Sequence, residues 1–377
     1  MSEHFSGNDY DSYFRLLEEK LEKERIGTEN PPTCSNHETA LPKVIKNKRK
    51  NVRIRKSAVA VCIVVALTLI GSLTLIGSIS GKTKDKDDDI LPNNNSSISV
   101  KKKEDKIKKT EFIFSDSTID IPKNNDAKYA IIIDKKDNRV IAQRNAKERA
   151  YPASTTKIMT ILTAVDLIEN YSDTFTMTLA ITDPLFTEGA SVAGFLDGEA
   201  VNMNDLLYGT ILPSGADAAM GLAIKLAGSE KAFVDIMNKK VEELGLNDTH
   251  FDNVTGLHSE NNYSTAYDMA VILDTALKNE TCKKLLSTYQ YTTASTPHHP
   301  DGILLSSTLF TYMYGTEPET ATILGGKTGY VNESGYCIAS YGENNENKNQ
   351  YIIVTLGNSA RMPAFFGQID LYRQFAK

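Results

Sequence analysis

Apolar residues are spread along this chain in three regimes, and each predicts a different kind of structure. The first is an unbroken run at 58–79, AVAVCIVVALTLIGSLTLIGSI, with no charged residue. At about 1.5 Å of rise per residue a helix of that length spans roughly 30 Å, the hydrocarbon thickness of a bilayer. Because the run is apolar on every face, it fits a transmembrane helix better than a buried soluble one. The second regime is mixed and begins near Lys128. Residues 129–133, a polar Lys135-Lys136-Asp137-Asn138 turn and residues 139–143 read as a β-hairpin. Pro152 and Ser154 then open a helix whose Ile158, Ile161, Leu162, Val165 and Ile168 keep helical spacing. Further helices are predicted at 204–211, 215–227, 230–244 and 265–279, with Gly245 at a C-cap and Thr265 and Asp268 at capping-box spacing. From about 320 the pattern returns to strands, at 322–330, 336–341 and 351–356, before a last helix at 364–375. Strands, a helical middle and strands again predict one sheet built from both ends of the domain, with a mostly helical lobe inserted between.

The third regime is polar and low in complexity. Residues 1–56 read as a largely disordered tail. Residues 81–125, with DKDDD, three consecutive asparagines and KKKEDKIKK, read as a charged linker. The domains expected are therefore a tail at 1–56, a membrane helix at 57–80, a linker at 81–125 and a globular domain at 126–377. Lysine and arginine set the orientation. Lys43, Lys46, Lys48, Arg49, Lys50, Arg53, Arg55 and Lys56 precede the apolar run, while the far side carries Lys82, Lys84 and Lys86 among aspartates. The positive-inside bias keeps the N-terminus in the cytoplasm and puts everything after Gly81 outside. A cleaved signal peptide fits less well, since the run is long, starts far from Met1 and lacks a clear A-x-A site. A net charge of −6 argues against a nucleic-acid partner. Of the four cysteines, Cys34 falls in the cytoplasm, Cys62 in the membrane, and Cys282 and Cys337 outside, where a disulfide is chemically allowed. Nothing in the sequence brings those two together, and two buried thiols is the preferred reading.

Three short motifs carry the chemistry. Ser154-Thr155-Thr156-Lys157 sets a hydroxyl and an amine three residues apart, on one face near a helix start. Serine is a weak nucleophile without a base, and a lysine can be that base once burial or a neighbouring positive charge lowers its pKa. Ser99 and Lys102 share the same spacing but lie in the linker with no helix around them. Ser214, after Leu212-Pro213, sits at a corner before a small-residue helix. It is either a structural N-cap or a proton relay. Gly325-Gly326-Lys327-Thr328-Gly329 enters a strand, where its glycines admit a ligand close to the backbone and Lys327 and Thr328 offer a charge and a hydroxyl. The segment is not a P-loop, because Ala321 stands where the first glycine is needed.

In this order the motifs match the set of the penicillin-recognising serine enzymes. Over about 126–375 the sequence resembles the serine-type D-alanyl-D-alanine carboxypeptidases, the low-molecular-mass penicillin-binding proteins. The stretches at 151–157, 190–209, 245–258 and 263–270 share in that resemblance. It implies an α/β (α+β) fold of the penicillin-binding-protein/β-lactamase transpeptidase type, with an antiparallel sheet flanked by helices. It also implies roles. Ser154 attacks the carbonyl between two terminal D-alanines of a peptidoglycan stem peptide, and Lys157 accepts its proton. Ser214 relays a proton to the departing D-alanine. Lys327 and Thr328 hold the terminal carboxylate, with Gly329 and Tyr330 beside them, and the N–H groups of Ser154 and Tyr330 form the oxyanion hole. β-Lactams would acylate Ser154. The resemblance calls for no metal or organic cofactor. One departure stands out: Ala216 replaces the asparagine usual in the family, which leaves Asp217 or another side chain to compensate. The C-terminal β-domain and amphipathic anchor common in the family are expected to be missing, with the N-terminal helix in the anchor's place.

Two alternatives accompany the active carboxypeptidase. One is a weakened module that binds or senses cell-wall peptides without turnover, motivated by Ala216. The other is a serine β-lactamase, which needs a second base that the sequence does not place. A zinc peptidase is weaker still, since His250, His258, His298 and His299 show no ligand spacing.

Overall fold

The computed structural model describes residues 109–377. The chain runs through strands β1 (Ile119–Asp120), β2 (Tyr129–Asp134) and β3 (Arg139–Arg144), then a 3-10 turn at Ala153–Thr156 and helix α1 (Lys157–Leu167). Next come β4 (Thr174–Thr176), α2 (Leu179–Thr187), β5 (Ala200–Asn202), α3 (Met203–Ile211), α4 (Ala216–Ala227) and α5 (Glu230–Leu244). After these lie α6 (Ala266–Leu277), α7 (Glu280–Ser287), β6 (Gln290–Thr292), β7 (Leu304–Ser306) and α8 (Thr308–Met313). The chain ends with β8 (Ala321–Val331), β9 (Gly335–Asn344), β10 (Gln350–Asn358) and α9 (Arg361–Phe375).

The main sheet has the order β1-β3-β2-β10-β9-β8. Every pairing in it is antiparallel except β1 with β3. Strand β2 lies between the N-terminal hairpin and the C-terminal strands, with Tyr129 to Asp134 paired against β10. Its apolar run follows from burial on both faces. Ile131 and Ile133 join the core beneath the helical lobe, and Ala130 and Ile132 join a second core under α9 with Phe365, Ile369 and Tyr372. A sheet assembled from both ends of the domain, with the helices between, is the architecture the sequence predicts.

The helices of the lobe begin and end where local chemistry allows. Asn202, Ser229, Thr265 and Asn279 each accept a hydrogen bond from the backbone N–H three residues on, capping α3, α5, α6 and α7. Gly245 closes α5 in the left-handed conformation. Helix α1 differs from its predicted one-sided character. Every residue from Lys157 to Ala164 is buried, because α1 runs through the middle of the lobe against α3, α4, α5, α6 and α7. Helices α2, α7 and α8 and the two ribbons β4–β5 and β6–β7 have no counterpart among the predicted elements. Each is short, and only tertiary packing completes it.

Packing also carries the domain upstream of residue 126. Phe112 and Ile121 are buried, Ile113 exchanges backbone hydrogen bonds with Asn138 and Val140, and β1 pairs with β3. Arg144 donates to the carbonyls of Ile121, Pro122, Asn125 and Ala127. The residues from about 110 that composition assigned to the linker form a strap over the sheet edge and α6. The apolar character of Phe112, Phe114, Ile119 and Ile121 was the signal, masked by the lysines around it. Cys282 and Cys337 are unpaired and buried. The tail, the apolar run at 58–79, the linker up to 108, Cys34, Cys62 and the Ser99–Lys102 spacing lie outside the described residues. Among the described residues no helix is long and apolar enough to cross a membrane.

Candidate active site

Ser154 sits on the 3-10 turn, which ends one residue before α1 begins, so the helix start predicted at Pro152–Ser154 is tighter than expected. In a 3-10 turn residues i and i+3 eclipse, and Lys157 Nζ lies 3.0 Å from Ser154 Oγ. The turn is held under strain: Ala153 has a φ of 48°. The loop 253–258 presses on it from one side. There Asn253 Oδ1 accepts from the N–H groups of Thr255 and Gly256, forming a tight turn, and Gly256 has a φ of 78°. A Cβ on Gly256 would collide with the Ala153 carbonyl oxygen, so only glycine fits. The Thr255 carbonyl oxygen so placed accepts from Lys157 Nζ at 2.6 Å.

From the other side comes β8. A Cβ at Gly329 would stand 2.7 Å from the Ser154 nitrogen, so the absence of a side chain lets the strand backbone run against the nucleophile's N–H. The first and third motifs therefore meet at Ser154, although nearly half the chain separates them.

Ser214 is not the N-cap of α4. That position belongs to Gly215, which makes no side-chain cap, while Ser214 takes the left-handed φ of 66°. This strained conformation aims its Oγ at Lys327, whose Nζ donates to it at 2.8 Å. Lys327 also donates to the Thr328 carbonyl at 2.7 Å. The hydroxyl of Ser214 is thus the partner of Lys327 rather than a cap of α4.

Both lysines are almost completely buried. Burial lowers the pKa of Lys157 from 10.5 to about 7, against the attraction of Asp217, which raises it. Burial, and then the neighbouring Lys157 charge, holds Lys327 well below the ordinary lysine value. Two ammonium groups in one dry site repel, so the pair favours a neutral amine on at least one of them, as a lysine base requires.

Ser154, Lys157, Ser214, Ala216, Thr328, Gly329 and Tyr330 line one open groove of about 690 Å³. Lys327 lies behind this surface, hydrogen-bonded to Ser214 and Thr328. Tyr330 stacks on Tyr336 with ring centroids 4.3 Å apart, and its hydroxyl donates to Asn332. Asp217 cannot stand in for the missing asparagine amide, because its carboxylate is taken up by backbone N–H groups.

Sequence reasoning missed several residues of the groove. Thr308, brought in by the N–H bond it gives to the Leu212 carbonyl, shares a 2.7 Å hydroxyl contact with Thr328. Arg361 opens α9 and offers a cation in the groove, held over the Tyr312 ring and hydrogen-bonded to the Tyr312 hydroxyl at 3.0 Å. His258 also lines it, edge-on to Tyr151. None of these carries a local signature. Thr255, which orients Lys157 through its carbonyl, was legible only within the 245–258 stretch. His299 pairs with Glu199, and among the described residues no cluster of histidine, cysteine and carboxylate side chains is arranged to hold a metal.

Comparison with known proteins adds to this geometry. A family model described as D-alanyl-D-alanine carboxypeptidase matches residues 116–360. The D-alanyl-D-alanine carboxypeptidase DacF of Bacillus subtilis is 33% identical over 216 residues, 57% of this chain and 54% of that protein. DacA of Escherichia coli is 38% identical over 154 residues, 39% of this chain and 38% of that protein. The chain thus spans about half or less of the length of these curated relatives. Among solved structures, the Streptomyces K15 DD-transpeptidase superposes with a TM-score of 0.57 at 26% identity, covering 71% of this chain and 99% of that one. Penicillin binding protein 5 of Haemophilus influenzae gives a TM-score of 0.60 at 26% identity, covering 67% and 71%.

Proposed function

The chain belongs to the D-alanyl-D-alanine carboxypeptidase family, and from that membership we propose that it removes the terminal D-alanine from peptidoglycan stem peptides through a serine acyl-enzyme. The observation that carries the reading is the convergence of Ser154, Lys157 and Ser214 on one groove with Lys327 behind them. Neutral Lys157 takes the proton of Ser154 as Oγ bonds to the carbonyl carbon between the two D-alanines. The oxyanion forms against the N–H of Ser154 and the β8 backbone at Tyr330. As the C–N bond breaks, Lys157 gives up that proton and the amine of the leaving D-alanine receives it through Ser214, which Lys327 holds in place, so Lys157 is neutral again. Thr328, with Thr308 beside it and Arg361 in the same groove, receives the terminal carboxylate. Water then loses a proton to neutral Lys157 as it attacks the acyl carbon, and Lys157 passes that proton to Ser154 Oγ as the acyl C–Oγ bond breaks. β-Lactams acylate the same oxygen.

The test uses the full chain in detergent. It should release D-alanine from a peptide ending in D-Ala-D-Ala and take one equivalent of a fluorescent penicillin, and Ser154→Ala should do neither. A folded protein that releases nothing overturns the carboxypeptidase. A second reading, a module that binds cell-wall peptides without turnover, is favoured by Ala216, which brings no polar side chain to its place in the groove. It expects stable penicillin labelling and no release. Fast hydrolysis of a chromogenic cephalosporin would point instead to a β-lactamase.

We propose further that residues 58–79 anchor the protein in the cell membrane as a single pass, N-terminus in the cytoplasm and domain outside. The uncharged run and the eight lysines and arginines just before it support this. Resistance of the protein to alkaline extraction, and digestion of the domain by protease added to intact spheroplasts, are the expected results. A protein wholly in the soluble fraction rules the anchor out.

A further inference from the structure

Asp217 belongs to none of the three motifs, yet it is buried in the first turn of α4 and its carboxylate is fully engaged. Oδ1 accepts from the N–H groups of Ala193 at 2.7 Å and Ala218 at 2.9 Å. Oδ2 accepts from Gly194 at 3.0 Å and Phe195 at 3.3 Å. Three of these four donors belong to the stretch that follows Glu188, Gly189, Ala190 and Ser191, which line the groove. The same stretch is tied a second time, since the Ser191 carbonyl accepts from the Ala216 N–H at 2.8 Å. Gly215, the N-cap of α4, leaves no room for rearrangement. A Cβ there would stand 2.7 Å from Asp217 Oδ1 and 2.8 Å from the Ala193 nitrogen. One carboxylate thus fastens the groove wall at 188–195 to the turn that carries Ser214.

We infer that Asp217 is a positioning residue for acylation, which locks this wall beside Ser214 and acts through that turn on the Lys157 amine. The inference rests on the acyl-enzyme reading above. It also accounts for a working groove with alanine at 216, because the wall is held from position 217 and not by the side chain of 216. The charged groups around the carboxylate are Lys157 on α1 and, beyond it, Lys327 on β8. Further along the wall, Asp197 accepts from the Leu179 N–H and Glu199 pairs with His299, while Glu188 acts on Glu230 at the start of α5. The remaining partners of Asp217 are backbone N–H groups.

The test is the rate of acylation of the full chain by a fluorescent penicillin from pH 5 to 9, for two variants. Asp217→Asn keeps the shape but removes the charge and turns a donor toward N–H groups that the carboxylate accepted from. It should slow acylation on the order of tenfold at the alkaline plateau and move the midpoint to lower pH, since the attraction that favours the Lys157 ammonium is gone. Asp217→Glu keeps the charge and displaces the clamp by a methylene. It should slow the plateau and leave the midpoint nearer that of the parent. A folded Asp217→Asn protein with the parent's rate and midpoint overturns the inference. A slower rate with an unmoved midpoint in both variants reduces Asp217 to a structural clamp and also overturns it. If neither variant folds, the role is structural and the inference fails. A parent protein that takes no penicillin refutes the acyl-enzyme reading itself, a different result from any of these.

Discussion

Single residues of the site work by burial more than by unusual chemistry. Lys157 is an ordinary lysine whose amine is taken out of water, which lowers its pKa to about 7. As a base it must be neutral, so acylation should rise with pH through about 7 and flatten above it. Below the midpoint the rate should fall about tenfold per pH unit, the slope of a single required deprotonation. Stopped-flow acylation by a fluorescent penicillin measures this, and a flat profile from pH 5 to 9 would exclude Lys157 as the base. Position 216 invites the opposite experiment. Ala216 lines the groove, and a restored polar contact is worth on the order of 1–3 kcal/mol. Ala216→Asn should therefore raise D-alanine release by about 5- to 150-fold. Unchanged release would show that the groove does not use an amide there.

Between elements, the site depends on two close approaches to one turn. The loop 253–258 and strand β8 flank Ala153–Thr156 so tightly that glycine is required at 256 and 329. Gly329→Ala places a methyl 2.7 Å from the Ser154 nitrogen, so the strand or the turn must shift. A displacement of about 1 Å at a reacting centre costs on the order of a hundredfold, and the rate of penicillin labelling should fall by about that factor. The midpoint of thermal unfolding should move much less. Much of this was legible in advance. The Ser154–Lys157 spacing, the glycines of the third motif and the β8 to β10 strands all have local signals, in hydroxyl–amine spacing and apolar pattern. Ser214 was only half legible. The Leu212-Pro213 corner was visible, but that Ser214 is not the cap, and that it meets Lys327, depended on a φ of 66° and a lysine more than a hundred residues away. Thr308 and Arg361 were illegible, because nothing near them in the chain distinguishes them from surface residues.

Across the whole domain, the strap from about 110 packs as part of the fold despite its lysine-rich surroundings. Phe112 is buried, its N–H bonds the Tyr267 hydroxyl, and Thr110 reaches Asp274, which also pairs with Lys278. Removing a buried phenylalanine side chain costs about 3–5 kcal/mol. Phe112→Ala should therefore lower the denaturant midpoint clearly, with penicillin labelling retained at low temperature. A chain beginning at 126 should be less stable still. Equal midpoints for that truncation and the full domain would return the strap to the linker.

Local pattern was enough for the types and order of the main strands and helices, for the pairing of Ser154 with Lys157 and for the family resemblance. These rest on periodicities and spacings within about ten residues, the range over which a helix turn or a strand pleat repeats. Long-range packing settled the rest: the strap belongs to the domain, Lys327 bonds Ser214 and the Thr328 carbonyl, and Asp217 ties the wall to the turn that carries Ser214. Each of those depends on which distant backbones approach closely enough to exclude water, a condition that no local pattern encodes.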